Sequence, residues 1–266
     1  MTQPDLSKRM GFFEHIEEMR VRLFKCAVVF FVGFILSYFL FTEPVLDFLK
    51  APLFAVLPEE QQKLYFTNLF ENFLTHLKIA AYVSIALFSP FYFFQIWAFI
   101  APGLHENEKK YALPFIVSGC FFFLLGASFA YYVLFPVAFQ FFTQFGAPSD
   151  IPILTIDSYY GTCLKLMLLF GLSFEFPVLI CFLGFLGIVS GEELQKHRKT
   201  AILAITIGSA LFAPPDAISM LILMIPLLLM YEASILVVKK IGRRKIEDNK
   251  DQDIEPSPWR GQSRED

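Results

Sequence analysis

The feature that most constrains this chain is a recurrence of apolar runs too long for a water-soluble core. Phe24 to Phe41 is apolar except for Lys25, Cys26, Ser37 and Tyr38. About 20 such residues in a helix span a hydrocarbon core. Comparable runs follow at Phe73 to Phe94, Ala112 to Phe135 and Tyr159 to Leu186. Thr200 to Ala213 and Ile218 to Val238 close the series after a basic connector, Gly191 to Lys199. Hydrophobic residues make up 56% of the 266, with 34 Phe, and a soluble domain of this size needs far fewer. The sequence predicts an all-α, polytopic membrane protein of six transmembrane helices.

Local signals shape each span. Phe12, Phe13, Ile16, Met19 and Leu23 share one helical face while Glu14, Glu18 and Arg22 line another, which predicts a cytoplasmic amphipathic N-terminal helix over residues 1–23 lying on the membrane surface. The membrane domain is expected over 24–238. Pro90 predicts a kink near the inner end of span 2, and Pro177 a bend or tilt in span 4. Lys78 and Lys165 are expected to snorkel outward, and Tyr131 and Tyr132 to sit in an interfacial belt. Thr200 to Ala213 holds only 14 residues. That is roughly 21 Å of helix against a roughly 30 Å core, so spans 5 and 6 read as a short hairpin turning at Pro214-Pro215-Asp216. Residues 239–266 mix both charges with Pro, Ser and Gln and are expected to be a disordered cytoplasmic tail. No cleavable signal peptide is apparent, so span 1 is expected to remain as an anchor.

Orientation follows from the basic residues. Lys8, Arg9, Arg20, Arg22, Lys25, Lys109, Lys110, Lys196, Arg198, Lys199 and eight more in the tail fall on one side, 18 of the 22 Lys and Arg. The positive-inside rule then makes both termini cytoplasmic.

Several function classes lose support from the same residues. Cys26, Cys120, Cys163 and Cys181 lie in apolar runs without metal or disulfide spacing, and His15, His76, His105 and His197 form no metal-ligand pattern. There is no nucleophile elbow, phosphate loop or CxxC. An enzyme, a cofactor and a nucleic-acid partner are therefore not expected. Glu175 is the costliest residue to place, because a carboxylate mid-membrane is unfavourable by about 2.5 to 3.5 kcal/mol on insertion scales. It reads either as a group in a hydrated concavity that meets a passenger or relays a proton, or as a protonated side chain bonded to a neighbouring helix. Glu18 and Glu108 sit beside basic residues on the cytoplasmic side. Ordinary pairing, Glu18 with Arg22 and Glu106 with Lys110 at four residues' spacing, competes there with reception of guanidinium groups from a peptide. An ion-coupled small-molecule transporter using Glu175 is the rival function.

Motifs in fixed order along the spans carry a family resemblance. His15-Ile16-Glu17-Glu18-Met19-Arg20-Val21-Arg22-Leu23 is similar to an HLxELRxRL signature. Ala51-Pro52-Leu53, Phe73-Leu74-Thr75-His76-Leu77-Lys78, Gln95 to Leu104 with Glu108, Ser173-Phe174-Glu175-Phe176-Pro177 and Ala213-Pro214-Pro215-Asp216 follow. In these the chain resembles the TatC family, the polytopic core subunit of the twin-arginine protein translocase, over everything but the tail. The resemblance implies a concave, glove-like bundle in the bacterial inner membrane that binds twin-arginine signal peptides. It implies export of folded proteins on the proton-motive force, with single-span subunits of the TatA and TatB types docking along the spans, span 5 among them, in homo- and hetero-oligomers within the lipid. Signal-peptide binding is carried over to Glu18, Glu108, Phe99 and Arg20, the intramembrane polar site to Glu175, and outer-loop family positions to Pro52 and Asp216. Met220 departs from a Gln of some relatives, and Glu17 adds a carboxylate beside Glu18.

Overall fold

The computed structural model describes residues 12–103, 112–144, 153–212 and 216–254. Among them every regular element is helical. Helix α1, Phe12–Leu40, runs without a break. The amphipathic segment and span 1 thus share one helix, because nothing between them interrupts the backbone ladder. At Gly33 the rod meets its neighbour: a Cβ there would come within 2.5 Å of the Ser84 hydroxyl, which donates to the Phe30 carbonyl at 3.0 Å.

The segment after α1 forms helix α2, Thr42–Phe54, with Leu46, Leu49 and Leu53 buried on one face. Pro52 lies inside it and has no N–H for the carbonyl of Phe48, four residues back. Tyr131 supplies the missing donor, its hydroxyl reaching the Phe48 oxygen at 2.8 Å and its ring stacking on the Phe48 ring at 4.0 Å. Tyr131 is therefore buried. The expected interfacial pair is split, with Tyr132 alone exposed. Tyr159 and Tyr160 likewise donate to the carbonyls of Leu49 and Leu46.

Helix α3, Glu71–Leu87, and helix α4, Ser89–Ile100, meet at Phe88 with a bend of 57°. Pro90 opens α4 as its second residue, the position at which a missing N–H does least harm. Helix α5, Ala112–Phe129, continues through a π turn, Ala130–Leu134, into α6, Phe135–Gln144. Helix α7, Ile156–Ser173, and α8, Glu175–Phe185, are parted only at Phe174. Pro177 cannot donate to the Ser173 carbonyl, so the break falls where its sequence position predicts. Close approach of α5 and α7 requires glycine on both sides, since a Cβ on Gly126 would lie 2.4 Å from the Phe170 carbonyl oxygen and one on Gly171 2.9 Å from the Phe123 ring.

The basic connector forms α9, Gly191–Lys196, begun by a capping box in which Ser190 and Glu193 bond each other's backbone N–H. Helix α10, Arg198–Phe212, has 15 residues. It is the short fifth run. Helix α11 starts after Asp216, whose carboxylate accepts from the Ser219 N–H at 2.7 Å, and spans Ala217–Ile254. It runs past Lys239 as far as Ile254, into the segment whose composition predicts a disordered tail. Lys, Arg, Glu and Gln favour helix, and prolonging an existing helix needs no new nucleus.

Phe13–Leu40, Ala112–Gln144, Ile156–Phe185 and Ala217–Lys240 are each long and apolar enough to cross a membrane, and the bent α3–α4 pair makes a fifth such unit. The main core packs Leu49, Ile79, Leu134, Phe135, Tyr160, Phe170 and Phe174 around α7. A smaller one joins Trp97, Phe115, Val178 and Phe182 near the other end.

Candidate functional site

Two antiparallel rows of side chains meet where α1 crosses α4. On α1, His15, Glu18 and Arg22 share a face by three- and four-residue spacing; on α4, Gln95 and Phe99 do the same. Arg22 donates through Nε to Glu18 Oε1 at 2.9 Å and through Nη2 to the same oxygen. Its third arm, Nη1, reaches Gln95 Oε1 at 3.3 Å. One guanidinium thus joins two helices, with Gln95 itself buried. Farther along, the His15 ring lies on the Phe99 ring at 4.3 Å, with His15 Nδ1 3.9 Å from Glu18 Oε2.

The two oxygens of Glu18 are consequently unequal. Oε1 is occupied by Arg22, while Oε2 is shielded from solvent and makes no hydrogen bond among the described residues. A carboxylate oxygen in that condition favours an added donor, and a guanidinium is the strongest one a peptide offers. The pairing of Glu18 with Arg22 expected from spacing is present, and it leaves half of the carboxylate unused.

Phe99 is held close to Glu18 through His15. Arg20, two residues beyond Glu18, is exposed on another face, beside Glu17 in a shallow cleft bounded by Val21, Leu23 and Phe24. A two-residue step turns about 200° around a helix, so Glu18 and Arg20 cannot face one ligand group together. Glu108 lies outside the described residues. Sequence reasoning missed His15 and Gln95 as partners of this cluster; both stand in the quoted motifs, but their pairing is long-range.

Glu175, the first residue of α8, is 8% exposed. Its Oε1 is buried without a hydrogen-bond partner among the described residues, as is the Tyr92 hydroxyl. Both border an apolar groove of about 540 Å³ between α1, α4, α5 and α7–α8, with Cys26, Ser89, Phe123 and Leu172 in its walls. The N-terminal position on α8 offers the carboxylate a favourable dipole. Lys165, expected to snorkel, is exposed. Lys78 is exposed too and pairs with Asp157, joining α3 to α7 at the end away from Glu18. Pro52 and Asp216 have the structural placements described above, and Met220 packs against the main core. No group of three or more His, Cys, Asp or Glu suited to a metal occurs among the described residues.

An all-helical, multi-pass membrane protein with a polar recess at one end and a lone carboxylate in an apolar groove is the class these features define. Residues 14–226 match the model of a family described as Sec-independent protein translocase protein (TatC). The chain is similar to the TatC protein of Desulforapulum autotrophicum, 39% identical across 92% of this chain and 90% of that one. It is also similar to that of Campylobacter jejuni, 37% identical across 86% and 93%. The crystal structure of the twin arginine translocase receptor TatC in DDM superposes with a TM-score of 0.74 at 32% identity, covering 85% of this chain and 99% of the other. The chain belongs to the TatC family and is a subunit of the Tat protein translocase, a transport protein rather than a member of an enzyme family. That membership gives no support to the small-molecule transporter reading.

Proposed function

We propose that this subunit is the receptor of its translocase: it binds twin-arginine signal peptides of folded proteins through Glu18 and Glu108. Phe99 bounds the site, and Arg20 acts from the opposite face of α1, on a different part of the peptide from the group that Glu18 receives. The observation that carries this reading is the unused, shielded Oε2 of Glu18 beside the His15–Phe99 stack. The apolar runs make six spans with α10 as the short fifth, the distribution of Lys and Arg puts both termini in the cytoplasm, and the family resemblance implies a bacterial inner membrane. Single-span TatA- and TatB-type subunits dock along the spans in homo- and hetero-oligomers, and the proton-motive force supplies the energy. The sequence has no phosphate loop that would point to a nucleotide instead.

Each charge-assisted bond of this kind is worth about 1.5 to 3 kcal/mol. Glu18→Gln or Glu108→Ala should therefore weaken binding of a twin-arginine peptide by roughly 10-fold to 150-fold at low salt. A twin-lysine peptide should bind the unaltered chain more weakly than the twin-arginine one, and raised salt should weaken both. Equal affinity of Glu108→Ala and the unaltered chain for the twin-arginine peptide would sink the assignment of Glu108.

A further inference from the structure

The loop that leads into α3 has an unusual division of labour. Its side chains point outward: Phe66 and Phe70 are each 64% exposed and Leu69 83%. Most of its backbone donors turn inward. The Thr67 N–H and hydroxyl and the Asn68 N–H all bond Glu71 Oε2, at 2.7, 3.0 and 3.3 Å. Glu71 Oε1 takes the Asp157 N–H at 2.8 Å, the Phe70 N–H goes to Asn68 Oδ1, and the Glu71 N–H goes to the Asn68 carbonyl. Glu71 is buried beneath this turn. Between Lys63 and Lys78 it is the only Asp, Glu, Lys or Arg.

In water none of this is needed, since solvent would satisfy those donors and apolar tips would be a liability. In lipid it is required, because irregular backbone survives there only when its polar groups are bonded internally. Past Asn72, Phe73 and Leu74 are exposed on the first turn of α3 and continue the apolar tips onto the outward surface of a spanning helix. We propose that the loop from Tyr65 to Leu74 inserts Phe66, Leu69 and Phe70 into the lipid leaflet at the end of the bundle away from Glu18. Glu71 is the positioning residue that keeps its backbone dry. The loop thereby fixes how deep α3 sits, and through the Glu71–Asp157 bond it fixes α7 with it.

The test uses the full chain in vesicles of phosphatidylethanolamine and phosphatidylglycerol, with Cys26, Cys120, Cys163 and Cys181 replaced by alanine. Nitroxide labels are placed one at a time on Leu69→Cys, Phe66→Cys, Phe39→Cys and Glu60→Cys. Phe39 is an exposed span residue and Glu60 an exposed residue outside the spans. The ratio of collision rates with oxygen to those with a polar nickel chelate should be as high at Leu69 and Phe66 as at Phe39. Adding Glu71→Ala should lower the Leu69 ratio toward that of Glu60. A Leu69 ratio equal to that of Glu60 overturns the proposal. So does dipolar broadening at Leu69 that vanishes on dilution with unlabelled chain, which would put a second copy on the loop instead of lipid.

Discussion

His15 and Phe99 lie face to face, ring centroids 4.3 Å apart and planes within 17°, and this contact draws the start of α1 against the end of α4. An aromatic contact of this geometry contributes about 0.5 to 1.5 kcal/mol beyond area burial. Phe99→Ala should therefore loosen the segment carrying Glu18 and weaken twin-arginine peptide binding by roughly 2-fold to 10-fold. Phe99→Tyr keeps the ring and should bind as before. Titration of a labelled signal peptide against the three chains checks the order.

Arg22 is the side chain that joins Glu18 to Gln95. Arg22→Ala leaves a mostly buried carboxylate and a buried amide without their shared donor. The expected loss of stability is about 1 to 3 kcal/mol, against about 0.5 to 1.5 for Gln95→Ala. Arg22→Lys keeps the charge without the fork and should fall between them. Denaturant unfolding in detergent gives the ranking, and equal midpoints for all three would show that the pair bears no load between the helices.

Gly126 and Gly208 make a matched contrast. A methyl at Gly126 meets the Phe170 carbonyl at 2.4 Å, whereas at Gly208 it meets no described atom within 4 Å. Gly126→Ala should destabilise the α5–α7 packing by about 1 to 3 kcal/mol or more, since a backbone cannot step aside as a side chain can. Gly208→Ala should leave the melting temperature in detergent unchanged or raise it, by up to about 1 kcal/mol of helix propensity.

Hydration of the groove at Glu175 would make that position reactive. With the four native cysteines replaced, Glu175→Cys should be modified by a membrane-impermeant thiol reagent in isolated membranes. Absence of modification from either side, with and without bound signal peptide, would place this carboxylate in a dry environment and remove any role for it toward a hydrated passenger.

Glu193 carries the pH dependence of the connector that holds α9. The Ser190 N–H, then the Ser190 hydroxyl, hold its carboxyl below the ordinary glutamate range. A folded-state value below the unfolded one means the stabilisation is complete above the unfolded value, near 4.3, and is lost as pH falls through the folded one. A carbon-detected titration of Glu193 should show this lowered midpoint. Ser190→Ala should bring it back up and cost about 1 kcal/mol of helix start.

Local chemistry was legible in the residues. The apolar runs, the bend near Pro90, the break before Pro177 and the Glu18–Arg22 pair follow from composition, missing N–H groups and helical spacing, all of which act within a few residues. The motif order along those runs pointed to the family as well. Three readings needed distances the chain does not encode locally. Tyr131 looks like a belt residue until Pro52, in a separate helix, is seen to leave the Phe48 carbonyl short of a donor. Nothing local singles out Glu71 until the Asp157 N–H arrives from the start of α7. His15 and Gln95 look like scattered polar residues until α1 and α4 cross.

Sequence alone thus determined that the chain is helical, that it crosses a membrane repeatedly, and which carboxylates are expensive to place. Helix formation and membrane insertion are satisfied by neighbouring residues, so their signals are written in order along the chain. The tertiary structure decided which oxygen of Glu18 Arg22 takes and which has no hydrogen bond among the described residues, and which carbonyl each buried tyrosine completes. It also set which glycines are crossings. Those depend on contacts between residues as far as 114 positions apart, and their geometry is fixed only when the helices have packed.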